Sequence, residues 1–204
     1  MVEPLHTFTT FIVFLCSAIN LLNIFWQFDK IIFSSDTDKY YNILIKFLKK
    51  DKLDYRKLVF DKRASEHSNK KAKIFDYIKY DLSKKFNLKK NDLLVQMLPT
   101  CPLRSINSIK KAINYAILNN KNTFSACEYD FHLKFCFSIN KKKWKSVFKK
   151  SPMISGNTQS QSQKKYYHPT GVINCLFVKT LNKNSKSIYD GALPLVIPRS
   201  ESFD

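Results

Sequence analysis

Chemistry in this chain begins with Leu98-Pro99-Thr100-Cys101-Pro102-Leu103-Arg104. Thr100 stands between two prolines, so the turn that carries it is stiff. Such a turn offers a hydroxyl and backbone amides at the start of a helix, where the partial positive charge of the helix end suits an anion. The other reactive side chains do not assemble into a nucleophile. His6, His67, His132 and His168 have no Gly-x-Ser-x-Gly element near them, and Cys101 lies inside the proline turn. A core or surface histidine is the default for each. The five cysteines (Cys16, Cys101, Cys127, Cys136, Cys175) form no C-x-x-C pair, which points to neither a zinc site nor a disulfide framework. Reduced thiols in a cytoplasmic protein are the expectation. With three glycines in 204 residues, the sequence holds no Gly-rich phosphate cradle.

The elements that must position that turn alternate between strand and helix patterns. Lys30–Phe33 reads as a strand running into Ser34-Ser35-Asp36-Thr37, where Asp36 or Thr37 caps a helix bearing Ile43, Leu44, Phe47 and Leu48. Lys57–Phe60 reads as a second strand, then a polar loop over 61–71, then a helix with Ile74, Phe75, Ile78 and Leu82 on one side. Asp92–Leu98 is a third strand, and Ser105 or Ser108 opens a helix carrying Ile109, Ala112, Ile113 and Ala116. Phe124–Glu128 and Leu133–Ile139 are strand-like and suited to pairing with each other. A polar stretch over 150–171 precedes strands at Val172–Val178 and Leu193–Ile197. This order predicts an α/β fold with a mostly parallel, Rossmann-like sheet and helices on both faces. Ligands of such sheets sit beyond the carboxyl ends of the strands. That rule selects Ser34–Asp36, the loop after Phe60, and 99–104.

Hydrophobic residues at 44% and aromatics at 14% suit a packed domain. The net charge of +19 comes from 35 basic residues, of which only Arg56, Arg63, Arg104 and Arg199 are arginine. Lysines scattered through helices and loops do not make the arginine-rich face of a nucleic-acid reader, so nucleic acid is not expected as a partner. A small anionic substrate still gains from the positive field.

The uncharged run Phe8–Trp26 is long enough to cross a bilayer, but Thr9, Thr10, Ser17, Asn20 and Asn23 weaken insertion and no basic residue precedes it. A buried helix followed directly by a strand is the favoured reading over a membrane contact through 8–26 or non-native sequence. Residues 1–27 are therefore treated as an atypical apolar segment ahead of a domain over 28–204.

Four segments together resemble the acylneuraminate cytidylyltransferase (CMP-sialic-acid synthetase-like) family. Ser34-Ser35-Asp36 is similar to its "VSTD" strand end and Lys62-Arg63-Ala64-Ser65-Glu66 to its "RRxxE" loop. Leu98–Arg104 is similar to "QPTSPLR". Thr170-Gly171-Val172-Ile173-Asn174 and Arg199–Asp204 resemble "NGAIY" and "RxxDID". The resemblance implies transfer of a cytidylyl group from CTP to an acidic nine-carbon (nonulosonic, sialic-acid-like) sugar, with pyrophosphate released and Mg²⁺ present. It implies nucleotide contacts at Ser35, Asp36, Arg63, Thr100 and Pro102, and sugar contacts at Gln96 and Gln161. It places Mg²⁺ at Asp204 and suggests a homodimer; it assigns no catalytic residue.

Three departures bear on activity. The family's opening "ARxGSKGxxxKN" loop has no counterpart, since no Gly, Arg or Lys precedes Phe28. Leu98 replaces the glutamine before "PTSP", with Gln96 on the same side of the strand two residues earlier. Gln161 stands in the run where many members carry an arginine. The expectation is an enzyme of this type incomplete at both ends, with impaired catalysis; the alternative is a non-catalytic sugar-nucleotide or partner-binding module built on the same fold.

Overall fold

A computed structural model describes residues 9–13, 28–69, 71–98, 100–156 and 164–202. Its centre is a sheet of seven strands: β1 (Thr9–Val13), β2 (Lys30–Ser35), β3 (Leu58–Lys62), β4 (Leu93–Met97), β5 (Thr123–Glu128), β8 (Tyr167–Phe177) and β9 (Leu193–Val196). They lie in the order β3-β2-β1-β4-β8-β5-β9. All neighbouring pairs are parallel except those made by β8, which runs antiparallel to both β4 and β5. A separate two-stranded hairpin, β6 (Phe137–Asn140) with β7 (Lys143–Ser146), stands off the sheet. The mixed, mostly parallel α/β fold read from the sequence is the fold of the protein.

Period-two alternation explains how the layers form. Odd-numbered Val95 and Met97 share a cluster with Ile31, Val172, Ile173 and Cys175, onto which helix α3 (Ile106–Asn119) lays Ile109, Ala112 and Ala116. On the same face, helix α1 (Asp38–Lys50) covers Phe33 with Leu44 and Leu48. Even-numbered Ile32, Leu94 and Leu176 point the other way. They meet helix α2, which runs from Ile74–Tyr77 through a π-helical turn, Ile78–Leu82, into Ser83–Lys85 and supplies Tyr77, Ile78 and Leu82.

The helix starts are set by side-chain caps. Thr37 accepts a hydrogen bond from the Lys39 amide at 3.3 Å and Ser105 from the Ser108 amide at 3.1 Å, each satisfying a donor that the first turn leaves open. α3 ends at Asn120 in the left-handed conformation, a common helix stop. Both caps hold the chain just beyond a strand end, where the sequence placed its ligand edge.

Three local expectations are corrected. Thr9–Val13 is a strand between β2 and β4, not part of a buried helix. A central parallel strand is apolar on both faces and so lacks the period that separates strand from helix; only its β-branched and aromatic content (Thr, Thr, Phe, Ile, Val) signals a strand. The remainder of the apolar run, 14–26, lies outside the described residues. Second, Leu133–Ile139 does not pair with β5: Leu133–Phe135 is a 3₁₀ turn, and Phe137–Asn140 pairs with Lys143–Ser146. Third, β3 continues through Asp61 and Lys62, which the sequence had assigned to a loop. No helix among the described residues is long and apolar enough to cross a membrane.

Candidate functional site

At the carboxyl ends of β2 and β3 the chain makes a cleft of about 700 Å³ lined by Asp36, Lys62, Arg63, Ala64, Ser65, Ser68 and Asn69. Its geometry follows from the ladder. Ser35 and Lys62 are register partners, and the Arg63 amide donates to the Ser35 carbonyl at 2.8 Å, which extends the pairing one residue past the strands. Ser35 is buried; its hydroxyl accepts from the Thr37 amide at 3.3 Å and lies 3.4 Å from Asp36 Oδ1. Asp36 is exposed at the mouth. Lys62 Nζ is paired with Asp38 Oδ2 at 2.7 Å, an exposed pair that a stronger anion can compete for. Two cations, two hydroxyls and an amide side chain facing one cleft suit a phosphorylated, polar ligand. Ser35, Asp36 and Arg63, chosen from separate segments, thus come together.

Under the cleft lies a polar cluster the sequence reading missed. Asp61 is wholly buried and accepts from Ser34 Oγ (2.5 Å), Tyr77 Oη (2.5 Å) and Lys85 Nζ (2.6 Å). Burial, then the hydrogen bond to the Asp61 carboxylate, pushes the Tyr77 phenol well above its ordinary pKa. The His67 ring packs at a tilt against Tyr77, with ring centres 4.9 Å apart, and lies 3.2 Å from Asp81. These contacts clamp the 63–69 loop between β3 and α2. The signal was present: alternation along Leu58–Lys62 puts Asp61 on the face of α2, where a carboxylate must have partners.

The proline turn occupies the same edge at the end of β4, two strand positions from β2. Thr100 and Pro102 are exposed there, outside the lining of the cleft, while Pro99 lies outside the described residues. At about 4.8 Å per strand, three gaps separate β3 from β4, so about 14 Å lies between the Arg63 loop and the Thr100 turn. Arg104 is buried and holds the turn: Nε donates to the Cys101 carbonyl (2.8 Å), Nη1 to the Val172 carbonyl (3.0 Å), and Nη2 to the Leu98 carbonyl. Burial draws its pKa down to about 10. Arg104 is a positioning residue, with its donors spent on the turn.

Gln96 is not at the cleft. It is buried in mid-sheet, where its Oε1 accepts from Asn174 Nδ2 at 3.2 Å across the β4–β8 register. A buried amide facing another amide satisfies itself within the sheet. Gln161 and Asp204 lie outside the described residues. Among the described residues no group of three or more His, Cys, Asp and Glu side chains is placed to hold a metal, and Asp36 is the single carboxylate among the cleft residues named above. These residues do not by themselves make a Mg²⁺ site.

No protein-family model matches the chain, and no curated protein matches it by sequence. Solved structures do match. A 4-diphosphocytidyl-2C-methyl-D-erythritol synthase from Anaerococcus prevotii superposes with a TM-score of 0.53 at 15% identity, over 97% of this chain and 92% of that one. A second structure of a synthase of that name reaches a TM-score of 0.62 at 9% identity, over 98% and 93%. The bifunctional IspDF from Campylobacter jejuni reaches 0.50 at 11% identity, over 96% of this chain and 50% of that one. Identities this low establish a shared fold.

Proposed function

We propose that this chain binds a cytidine nucleotide at the carboxyl edge of its sheet and acts as a nucleotidyltransferase of the cytidylyl type. The observation that carries the reading is the cleft at the ends of β2 and β3, where Lys62 and Arg63 face hydroxyls and an amide in a fold shared with proteins named for a diphosphocytidyl product. On this reading Arg63 and Lys62 neutralise phosphate charge, and Ser35 and Asp36 shape the mouth of the cleft. The Thr100 turn, about 14 Å along the edge, meets the far end of the ligand. An in-line displacement at the α-phosphate asks the protein mainly for positioning and charge neutralisation.

The finer reading makes CTP and an acidic nine-carbon sugar the substrates, with two copies of the chain assembling. It rests on the matched motifs at Arg63 and Thr100–Arg104. Mg²⁺ belongs to this proposal through Asp204.

Titration calorimetry with CTP, UTP and GTP tests the binding. CTP is expected to bind most tightly, and Arg63→Ala to weaken it by about 10-fold or more, the loss of at least one charge-assisted hydrogen bond of about 1.5–3 kcal/mol. Equal affinity for all three nucleotides would refute the cytidine reading. Pyrophosphate release with CTP and a panel of nonulosonic acids then separates transferase from binding module: CTP binding without turnover on any sugar would favour the module.

A further inference from the structure

At the other end of the same sheet edge a thiol, an imidazole and a guanidinium converge, apart from the cleft. Cys127 on β5 and His168 on β8 are register partners, with Sγ 3.0 Å from Nε2. His168 Nδ1 lies 3.0 Å from the Pro169 carbonyl. A carbonyl only accepts, so Nδ1 carries the proton and Nε2 is the acceptor that faces the thiol. Arg199 Nη1 is 3.2 Å from His168 Nε2 and 3.8 Å from Cys127 Sγ, and Ser202 Oγ, whose proton goes to the Arg199 carbonyl at 2.8 Å, lies 3.5 Å from the sulfur. The sulfur therefore meets a base and a cation, a nucleophile and its base within hydrogen-bond reach.

The remaining charged groups around the pair are occupied with one another. Arg199 Nη2 is 3.1 Å from Asp130, and Lys165 pairs with the Glu128 carboxylate at 3.0 Å. Tyr129 contributes a ring 4.6 Å from that of His168. Cys127 is buried, as Cys101 and Cys175 are, but carries an imidazole nitrogen against its sulfur. Burial pushes the Cys175 thiol up to about 12, Cys101 is buried with its sulfur 3.7 Å from the Thr170 carbonyl, and Cys136 is exposed.

We propose that Cys127 is a nucleophilic thiol and a covalent modification site for small electrophiles, hydroperoxides foremost, with His168 as its base and the Arg199–Ser202 segment as its cover. The Cys127 proton passes to His168 Nε2, and the thiolate attacks the terminal oxygen of the hydroperoxide. The O–O bond breaks and the leaving alkoxide takes the proton from His168. Sulfur is oxidised by two electrons to a sulfenic acid, and the hydroperoxide is reduced to an alcohol, or to water from hydrogen peroxide. The added oxygen needs the space between Sγ and Ser202 Oγ. Modification therefore lifts the Arg199–Glu201 turn, which Glu201 ties to the start of α3 through the Ser105 amide at 3.0 Å. This site is independent of the nucleotide reading.

The test exposes the full-length native chain to hydrogen peroxide with a sulfenic-acid trap and, in parallel, to iodoacetamide, reading each cysteine by peptide mass spectrometry. Cys127 is expected to react at least 10-fold faster than Cys101 and Cys175. Ser202→Ala should speed Cys127 several-fold by opening the cover, and His168→Gln should slow it about 10-fold. Reaction as slow as at Cys101 and Cys175 overturns the proposal, as does a rate indifferent to His168→Gln in a variant with an unchanged circular dichroism spectrum. Should His168→Gln fail to fold, an unchanged rate in Ser202→Ala overturns it instead.

Discussion

Arg104 and Tyr77 show how single buried polar side chains fix the edge on which ligand binding depends. Arg104 donates to three carbonyls from the end of β4, the proline turn and β8. Arg104→Ala would strand those acceptors and is expected to lower unfolding stability by about 3 kcal/mol in chemical denaturation. Arg104→Lys should recover little, since one ammonium cannot reproduce a planar fork. Tyr77 gives a pH signature. Its folded pKa is raised above the unfolded value of 10.0, so its contribution is complete below pH 10 and is lost as pH rises further, because the unfolded chain then releases the phenolic proton first. Denaturation of wild type against Tyr77→Phe from pH 8 to pH 11 should show stability falling with pH in wild type and a smaller alkaline dependence in the variant. The Phe variant should also be about 1–3 kcal/mol less stable at neutral pH, with one donor removed from a buried carboxylate. Of these two residues, Arg104 was legible in the sequence as the last residue of the Leu98–Arg104 motif. Tyr77 was not, because its partner Asp61, 16 residues earlier, read as part of a polar loop.

At the scale of elements, β8 joins the two halves of the sheet, and a bulge aims its amino-terminal portion at the edge. Pairing with β5 jumps from Ala126–Pro169 to Phe124–Asn174, so four residues of β8 oppose Ser125. The Ser125 hydroxyl fills the gap, accepting from the Ile173 amide at 2.9 Å and from Thr170 Oγ1 at 2.8 Å. Gly171 takes φ +69° there, and a Cβ on it would come within 2.8 Å of Leu98 Cδ1. Gly171→Ala meets both costs and is expected to lower the thermal midpoint by several degrees, from about 1–3 kcal/mol of strain. The same substitution at Gly191, which has open space and only the backbone cost, serves as the comparator. Helices α1 and α3 were legible from their period and caps, and strands β2, β4 and β9 as short apolar runs stopped by turn residues or prolines. β1 and the early start of β8 were not: one lacks a period, and the other begins in residues as polar as a loop.

Across the whole molecule, strand order decides which sequence motifs can share a ligand. The Arg63 loop, the Ser35–Asp36 strand end and the Thr100 turn follow β3, β2 and β4, so one edge collects them although 64 residues separate Asp36 from Thr100 in sequence. Cys127 lies near the end of β5, His168 near the start of the antiparallel β8, and Arg199 follows β9, so the three fall at the other end of that edge. A second concavity of about 790 Å³ lies past the end of β5, between Asp130 and Met153, with Phe131, His132, Phe135, Cys136 and Phe137. Its apolar lining provides a contrast for the polar cleft. Amide hydrogen exchange with and without CTP distinguishes the two most directly. The account predicts slowed exchange over 35–37, 63–69 and 100–105, attenuated in Arg63→Ala. Protection confined to 130–153, or absent from 63–69 at saturating CTP, would contradict it.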